Sequence, residues 1–237
     1  MSTALNYDLS DNIATLAMDD GKANALNVTM LQAINDGLDR ALADKAAVVV
    51  IQGREKMFSG GFDLSAFKRE PAEIVAMLTA GAKLSERLLA FPVPVVAACT
   101  GHAVAMGSFL LLSCDVRIGP DNDARFHINE VLIGMILPHF AIEVSRQRLT
   151  PAAFTQAVNM ATPHSGQRAV AAGFLDEIVA PESVAEAARS RAVMLKSLNA
   201  GAYLATKLRS RKPVLDAMKK AIEQDCTDWA EAFKTRG

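Results

Sequence analysis

Between Leu88 and Cys114 the chain carries no formally charged residue. A run of that length is either a bilayer span or the inside of a soluble core. Pro92, Pro94, Gly101, His102 and Gly107 interrupt it, and apolar runs broken by turn residues are how buried strands and helices of α/β cores read. The stretch is therefore expected to hold a buried strand from Val93 to Cys99, a turn, and a short apolar helix over 107–113.

The flanking sequence fits the same layering. Two short apolar segments, 4–9 and 12–19, are separated by Ser10-Asp11-Asn12 and read as a hairpin. Leu26, Met30, Leu31, Ile34, Leu38, Ala41 and Leu42 recur at helical spacing up to Asp44, and Ala47–Ile51 is a β-branched strand closed by Gly53. A helix over 71–90 opens at Pro71, and Asp115–Gly119 returns as a strand. Strands separated by helical crossovers imply parallel pairing and an α/β fold. From about residue 138 the pattern is helical, apart from a strand-like piece at Asp176–Ala180. The last helix, expected from Pro213, carries Val214, Leu215, Met218, Ile222, Cys226, Trp229 and Phe233 on one stripe, which is expected to pack on a neighbouring subunit.

Composition removes several classes of function. With 25 Lys and Arg against 26 Asp and Glu, the net charge of −1 gives no field for nucleic acid or an anionic membrane. Cys99, Cys114 and Cys226 are scattered, so neither a disulfide framework nor a structural zinc site is expected. No Lys or Arg precedes Lys22, and early Asp residues break any apolar leader, which points to a cytoplasmic protein. His102, His127, His139 and His164 do not stand at metal-ligand spacing, and no metal is expected.

Common ligand-binding signatures fail on spacing. Neither Gly21-Lys22 nor Gly81-Ala-Lys83 completes a P-loop, no G-x-G-x-x-G follows a strand, and Ser59 lacks the G-x-S-x-G context of a nucleophile elbow. Two glycine-containing turns remain, Met57–Ser65 and Gly101–Gly107. Each follows a buried strand and can expose backbone N–H groups, the second at the start of a helix, where developing negative charge is favoured.

Lys22-Ala-Asn-Ala-Leu26, Phe58-Ser-Gly-Gly-Phe-Asp-Leu64, Pro92-Val-Pro-Val-Val-Ala, Gly101-His-Ala-Val-Ala-Met-Gly-Ser, Cys114-Asp115 and Asn129-Glu130 with Gly134 stand in an order and spacing that resembles the crotonase superfamily, the enoyl-CoA hydratase/isomerase family, over essentially the whole chain. The resemblance implies a spiral of ββα repeats over residues 1–180 and a helical C-terminal trimerisation region over 181–237. It also implies acyl-CoA thioester substrates, with coenzyme A entering as part of the substrate rather than as a cofactor, and a homotrimer or dimer of trimers. Matched residue by residue, it places an oxyanion hole at the N–H groups of Phe62 and Met106. Coenzyme A would lie along Lys22, Ala23, Ala25, Phe62, Asp63, Leu64 and Ser65. The cluster Lys207, Arg209, Arg211 and Lys212 reads as a solvated helix end, with contact to a coenzyme A phosphate as the alternative.

The resemblance also implies that hydratases of the family use two glutamates, one for water and one for the α-carbon proton. Here Glu130 matches the second, while Phe109 stands at the position of the first and lines the substrate site. That pattern resembles Δ3,Δ2-enoyl-CoA isomerases, which need one base. The apolar setting of Val131, Leu132, Ile133 and Phe109 is expected to raise the basicity of Glu130. Two alternatives stay open: a hydratase in which Asp63 or Glu143 replaces the missing acid, and a catalytically silent acyl-CoA-binding protein.

Overall fold

The computed structural model describes residues 4–234. The outer ends of the two expected regions, residues 1–3 and 235–237, lie outside the described residues. The chain opens with an antiparallel hairpin, β1 (Leu5–Ser10) and β2 (Ile13–Met18), and α1 (Val28–Ala43) follows. Asn27 starts α1 by accepting the Met30 N–H.

Three units of strand, strand and helix come next. They are β3 (Val48–Gln52), β4 (Lys56–Ser59) and α2 (Pro71–Leu89); β5 (Val95–Ala98), β6 (Gly101–Val104) and α3 (Met106–Ser113); and β7 (Val116–Pro120), β8 (Phe126–His127) and α4 (His139–Arg148). In each unit the first strand joins a six-stranded sheet, ordered β1-β2-β3-β5-β7-β9, and the second joins a three-stranded sheet, ordered β4-β6-β8. The ββα repeat that the resemblance implies is thus present, written across two sheets. The chain continues through α5 (Pro151–Phe154), α6 (Gly166–Ala172), β9 (Glu177–Val179), α7 (Val184–Leu195) and α8 (Ala200–Lys234).

The six-stranded sheet explains its own sequence. Along β3 the residues alternate: Val49 and Ile51 join the main core, while Val48 and Val50 join a second core with Val184, Ala188 and Ala192 of α7. Burial on both faces is why this strand is an unbroken apolar run.

Three expectations change. Gly101–Val104, expected as a turn, is the central strand of the small sheet, and 56–59 and 126–127 are strands as well. The last helix begins at Ala200, not Pro213. Asn199 accepts the Ala202 N–H at 2.9 Å and starts it, and Pro213 lies inside it. The apolar stripe of α8 is covered within the same chain. Met218, Ile222, Trp229 and Phe233 are buried, the helix packs on α2 and α4, and Trp229 meets Phe140 edge-on at 6.4 Å. Asp225 of α8 accepts the first N–H groups of α4, from His139 at 2.7 Å and Phe140 at 2.8 Å, so α8 supplies the cap that Pro138 cannot. No helix among the described residues is long and apolar enough to cross a membrane.

Candidate active site

The three strands of the small sheet run parallel and deliver the candidate residues from one edge. β4 ends at Ser59 and leads to Phe62, β6 ends at Val104 and leads to Met106, and β8 ends at His127 and leads to Glu130. Residues far apart in sequence are thereby gathered at the carboxyl ends of neighbouring strands, where ligands commonly bind open parallel sheets.

The first loop is fixed by backbone bonds to the segment before α1. Gly60 N donates to Ala23 O and Leu26 N to Gly61 O, both at 2.8 Å. Asp20 organises that segment by accepting the N–H groups of Lys22, Asn24 and Ala25. Buried Asn24 donates to Met18 O and Phe58 O, and Ser59 Oγ donates to Asn24 O. Lys22, Ala23 and Ala25 are therefore held beside the loop that carries Phe62, Asp63, Leu64 and Ser65. Lys22, Leu64 and Ser65 are exposed, Asp63 caps the following turn through Ser65 N, and Phe62 is half-buried.

The two candidate donor loops touch. Gly61 has φ +93°, and a Cβ there would lie 2.9 Å from Val104 O and 3.3 Å from Met106 N, so only glycine fits this crossing. Ala105, immediately before Met106, has φ 50° without being glycine, a strained conformation at the mouth of α3. The bonds that hold these loops run from Gly60, Gly61, Leu26 and Ala105. The N–H groups of Phe62 and Met106 take no part in them.

Glu130 is only 7% exposed. Its Oε2 is buried with no hydrogen-bond partner, as is Oδ1 of the adjacent Asn129. Burial raises its pKa from 4.5 to about 7, tempered by the backbone N–H groups of Glu130 and Asn129. The other buried carboxyl group among the described residues, Asp225, is occupied as the cap of α4. The apolar setting differs from expectation, because Val131, Leu132 and Ile133 are 48–70% exposed and only Phe109 is buried. Phe109 lies one turn along α3 from Met106 and packs edge-on against Phe140 at 5.8 Å. Of the two possible substitute acids, Asp63 is used as a cap and Glu143 lies on α4 within 4.0 Å of Arg146.

Only half of the basic cluster is a solvated helix end: Arg209 and Lys212 are exposed, whereas the other two are not. Lys207 and Arg211 reach back to Asp115, each at 2.8 Å, and Tyr203 donates to the same carboxylate at 2.9 Å. Asp115 also accepts Val95 N. The Cys114-Asp115 motif therefore anchors α8 to the large sheet, a role that nothing in its local sequence signals. His139, Asp225 and Asp228 bring possible ligand atoms within 4.8 Å of one another, but Asp225 is already used as a helix cap. Clefts of about 540 and 430 Å³ open beside the residues leading into β5 and β7, away from the edge that carries Glu130.

Phe62, Met106 and the buried Glu130 thus lie in the turns that follow three neighbouring parallel strands of the small sheet. A family model described as enoyl-CoA hydratase/isomerase matches residues 8–236, and the chain belongs to this family. An apo enoyl-CoA isomerase from Mycobacterium tuberculosis is 44% identical, with a TM-score of 0.93 over 96% of this chain and 99% of that one. The rat mitochondrial enoyl-CoA delta isomerase 1 is 27% identical over 217 residues, 90% of this chain and 75% of the relative. A probable enoyl-CoA hydratase from Bacillus subtilis is 30% identical over 179 residues, 73% of this chain and 67% of the relative. The relatives thus carry both names. The chain is an enoyl-CoA hydratase/isomerase family enzyme with the crotonase fold.

Proposed function

We propose that the protein is a Δ3,Δ2-enoyl-CoA isomerase with Glu130 as its only acid–base group. The observation that carries this reading is the buried Glu130 carboxyl at the edge of the small sheet, its Oε2 without a hydrogen-bond partner, with Phe109 where a second acid would stand. As carboxylate, Glu130 takes a proton from C2 of a 3-enoyl-CoA. The electron pair moves into the thioester, and the resulting dienolate oxygen is held by the N–H groups of Phe62 and Met106. Donors placed in this way lower such barriers by about 3 kcal/mol each. The same carboxyl group then returns its proton to C4, so the double bond moves from C3–C4 to C2–C3 with no net gain or loss of atoms. A pKa near 7 suits a group that must both accept and return a proton.

Coenzyme A lies, in this reading, along Lys22, Ala23 and Ala25 on one side and Phe62 to Ser65 on the other. Assembly as a homotrimer or dimer of trimers belongs to the same proposal. With much of the α8 stripe consumed internally, the exposed run Val131, Leu132, Ile133, Met135 and Ile136 offers an apolar surface for contact.

The test is a parallel assay on a 3-enoyl-CoA and a trans-2-enoyl-CoA, with conjugated thioester absorbance followed and products weighed. Conjugation from the first without hydration of the second is expected. A product heavier by one water from the 2-enoyl substrate would overturn the single-base reading and direct attention to Asp63 or Glu143.

A further inference from the structure

Gly81 lies in the interior of α2, a helix of 19 residues, and is buried. Glycine there costs a helix about 1 kcal/mol relative to alanine, so its presence has to be explained by what it touches. A Cβ on Gly81 would lie 2.6 Å from Cζ and 2.7 Å from Cε1 of Phe62, and 3.3 Å from Cε of Met106. The missing side chain is the space into which the Phe62 ring fits. The two side chains that meet α2 at this point belong to the two residues whose N–H groups, in the reading above, hold the thioester oxygen.

That coincidence fixes where the ring stands relative to substrate. The Cβ of a residue is separated from its own nitrogen by Cα alone, so a side chain whose N–H binds the thioester oxygen stands beside the first acyl carbons. Met106 is fully buried and Phe62 half-buried, so of the two residues only Phe62 keeps exposed surface. Behind the ring stands the backbone of α2, which cannot retreat, because the same helix packs on α8.

We propose that the Phe62 ring, seated on Gly81, is the wall that sets acyl-chain length and confines the site to short acyl-CoAs. The proposal rests on the placement of the thioester oxygen at Phe62 and Met106, but not on which reaction follows. Opening the wall admits additional methylenes, each of which strengthens binding about fourfold when buried. Adding a methyl group at Gly81 acts in the opposite direction, because a Cβ there displaces the tip of the Phe62 ring away from α2.

The experiment is calorimetric titration of the whole protein with butyryl-CoA and decanoyl-CoA, comparing the unmodified chain with Phe62→Ala, Phe62→Leu and Gly81→Ala. The unmodified protein is expected to bind decanoyl-CoA no more tightly than butyryl-CoA. Phe62→Ala shifts the ratio at least tenfold toward decanoyl-CoA, Phe62→Leu shifts it less in the same direction, and Gly81→Ala shifts it toward butyryl-CoA. A ratio unchanged in both Phe62 variants, or an unmodified protein that already gains affinity with each methylene, overturns the wall. Saturated thioesters cannot isomerise, so a shifted ratio in a protein that fails the isomerase assay would count against the reaction and leave the wall standing.

Discussion

The two sheets of this molecule are built to opposite specifications. At the centre of the large sheet both faces are covered, as Val49 and Ile51 are by the main core and Val48 and Val50 by α7, and Asp115 beside it is paired with Lys207 and Arg211. The small sheet has strands of two to four residues. The turns that follow them hold Gly61 and Ala105 at positive φ and a carboxyl oxygen without a partner on Glu130. Positive φ also occurs at Asp11, Asn12 and Lys45 beside the large sheet, and buried unpartnered oxygens at Ser85 and Ser145, but at this edge the two coincide with a buried carboxyl group. Substitutions in the frame should therefore cost stability, and substitutions at the edge should cost activity.

The largest effect expected at the edge is that of Glu130→Gln. Removing the proton acceptor should lower 3-enoyl-CoA turnover about 10²- to 10⁴-fold, measured as conjugated thioester formation, while acyl-CoA binding persists. In the unmodified enzyme the base must be ionised, so kcat/KM should fall with decreasing pH below about 7, the value to which burial raises this carboxyl group. Undiminished turnover in Glu130→Gln would end the comparison on its functional side.

The largest effect expected in the frame is that of Asp115→Ala. Lys207 and Arg211 would lose their carboxylate while their side chains remain 4% and 11% exposed. Removing one partner of a buried ion pair typically destabilises by about 3–5 kcal/mol. Urea unfolding followed by circular dichroism would show it as an earlier midpoint, and an unchanged midpoint would mean that α8 is anchored elsewhere.

The same division decides what could be read in the sequence. The frame was legible because burial on two faces writes unbroken β-branched runs such as Val48–Ile51. The helix over 71–90 was legible because Pro71 and its apolar period agree. The small sheet was not, because close crossing demands glycine and glycine reads as a turn. A Cβ on Gly101, in the middle strand, would lie 1.9 Å from the carbonyl carbon of Lys56. The candidate residues themselves emerged only through their resemblance to family motifs, since a lone Glu130 followed by three exposed apolar residues has no local signature of a buried base. The ties of Asp115 and Asp225 to distant elements, at Lys207 and His139, have no periodicity by which sequence reasoning could find them.

A sharper version of the comparison is that Glu130 opposes folding while serving chemistry. Its pKa is higher in the folded chain than the ordinary 4.5, so the native state binds this proton more tightly than the unfolded state does. Stability from this group is therefore fully present below about pH 4.5 and is lost as pH rises through about 7. At one pH unit per 1.36 kcal/mol, the cost at pH 8 reaches at most about 3 kcal/mol. Glu130→Gln, neutral and of the same shape, should unfold at higher urea than the unmodified protein at pH 8, with the advantage shrinking toward pH 5. An advantage equally large at both pH values would assign the effect to packing instead of ionisation.

The smallest effect tests whether strain at the edge does any chemical service. Ala105 is held at φ 50°, ψ −125°, between the last residue of β6 and Met106, the proposed donor, by its own N–H to His127 O and by Ser108 and Phe109 N–H groups on its carbonyl oxygen. Glycine adopts such a conformation without steric penalty, so Ala105→Gly should relieve about 1 kcal/mol of native strain, partly offset by the greater freedom glycine gives the unfolded chain. The net change in unfolding midpoint should be small and of either sign. Turnover should fall nonetheless, because a looser peptide before Met106 lets that N–H wander from the developing oxyanion, whose stabilisation depends on a donor fixed in advance. The decrease should appear in kcat with little change in KM, since the donor matters more to the dienolate than to the ground-state carbonyl. Unchanged kcat in a variant of unchanged stability would show that the positive φ at Ala105 only serves to join β6 to α3.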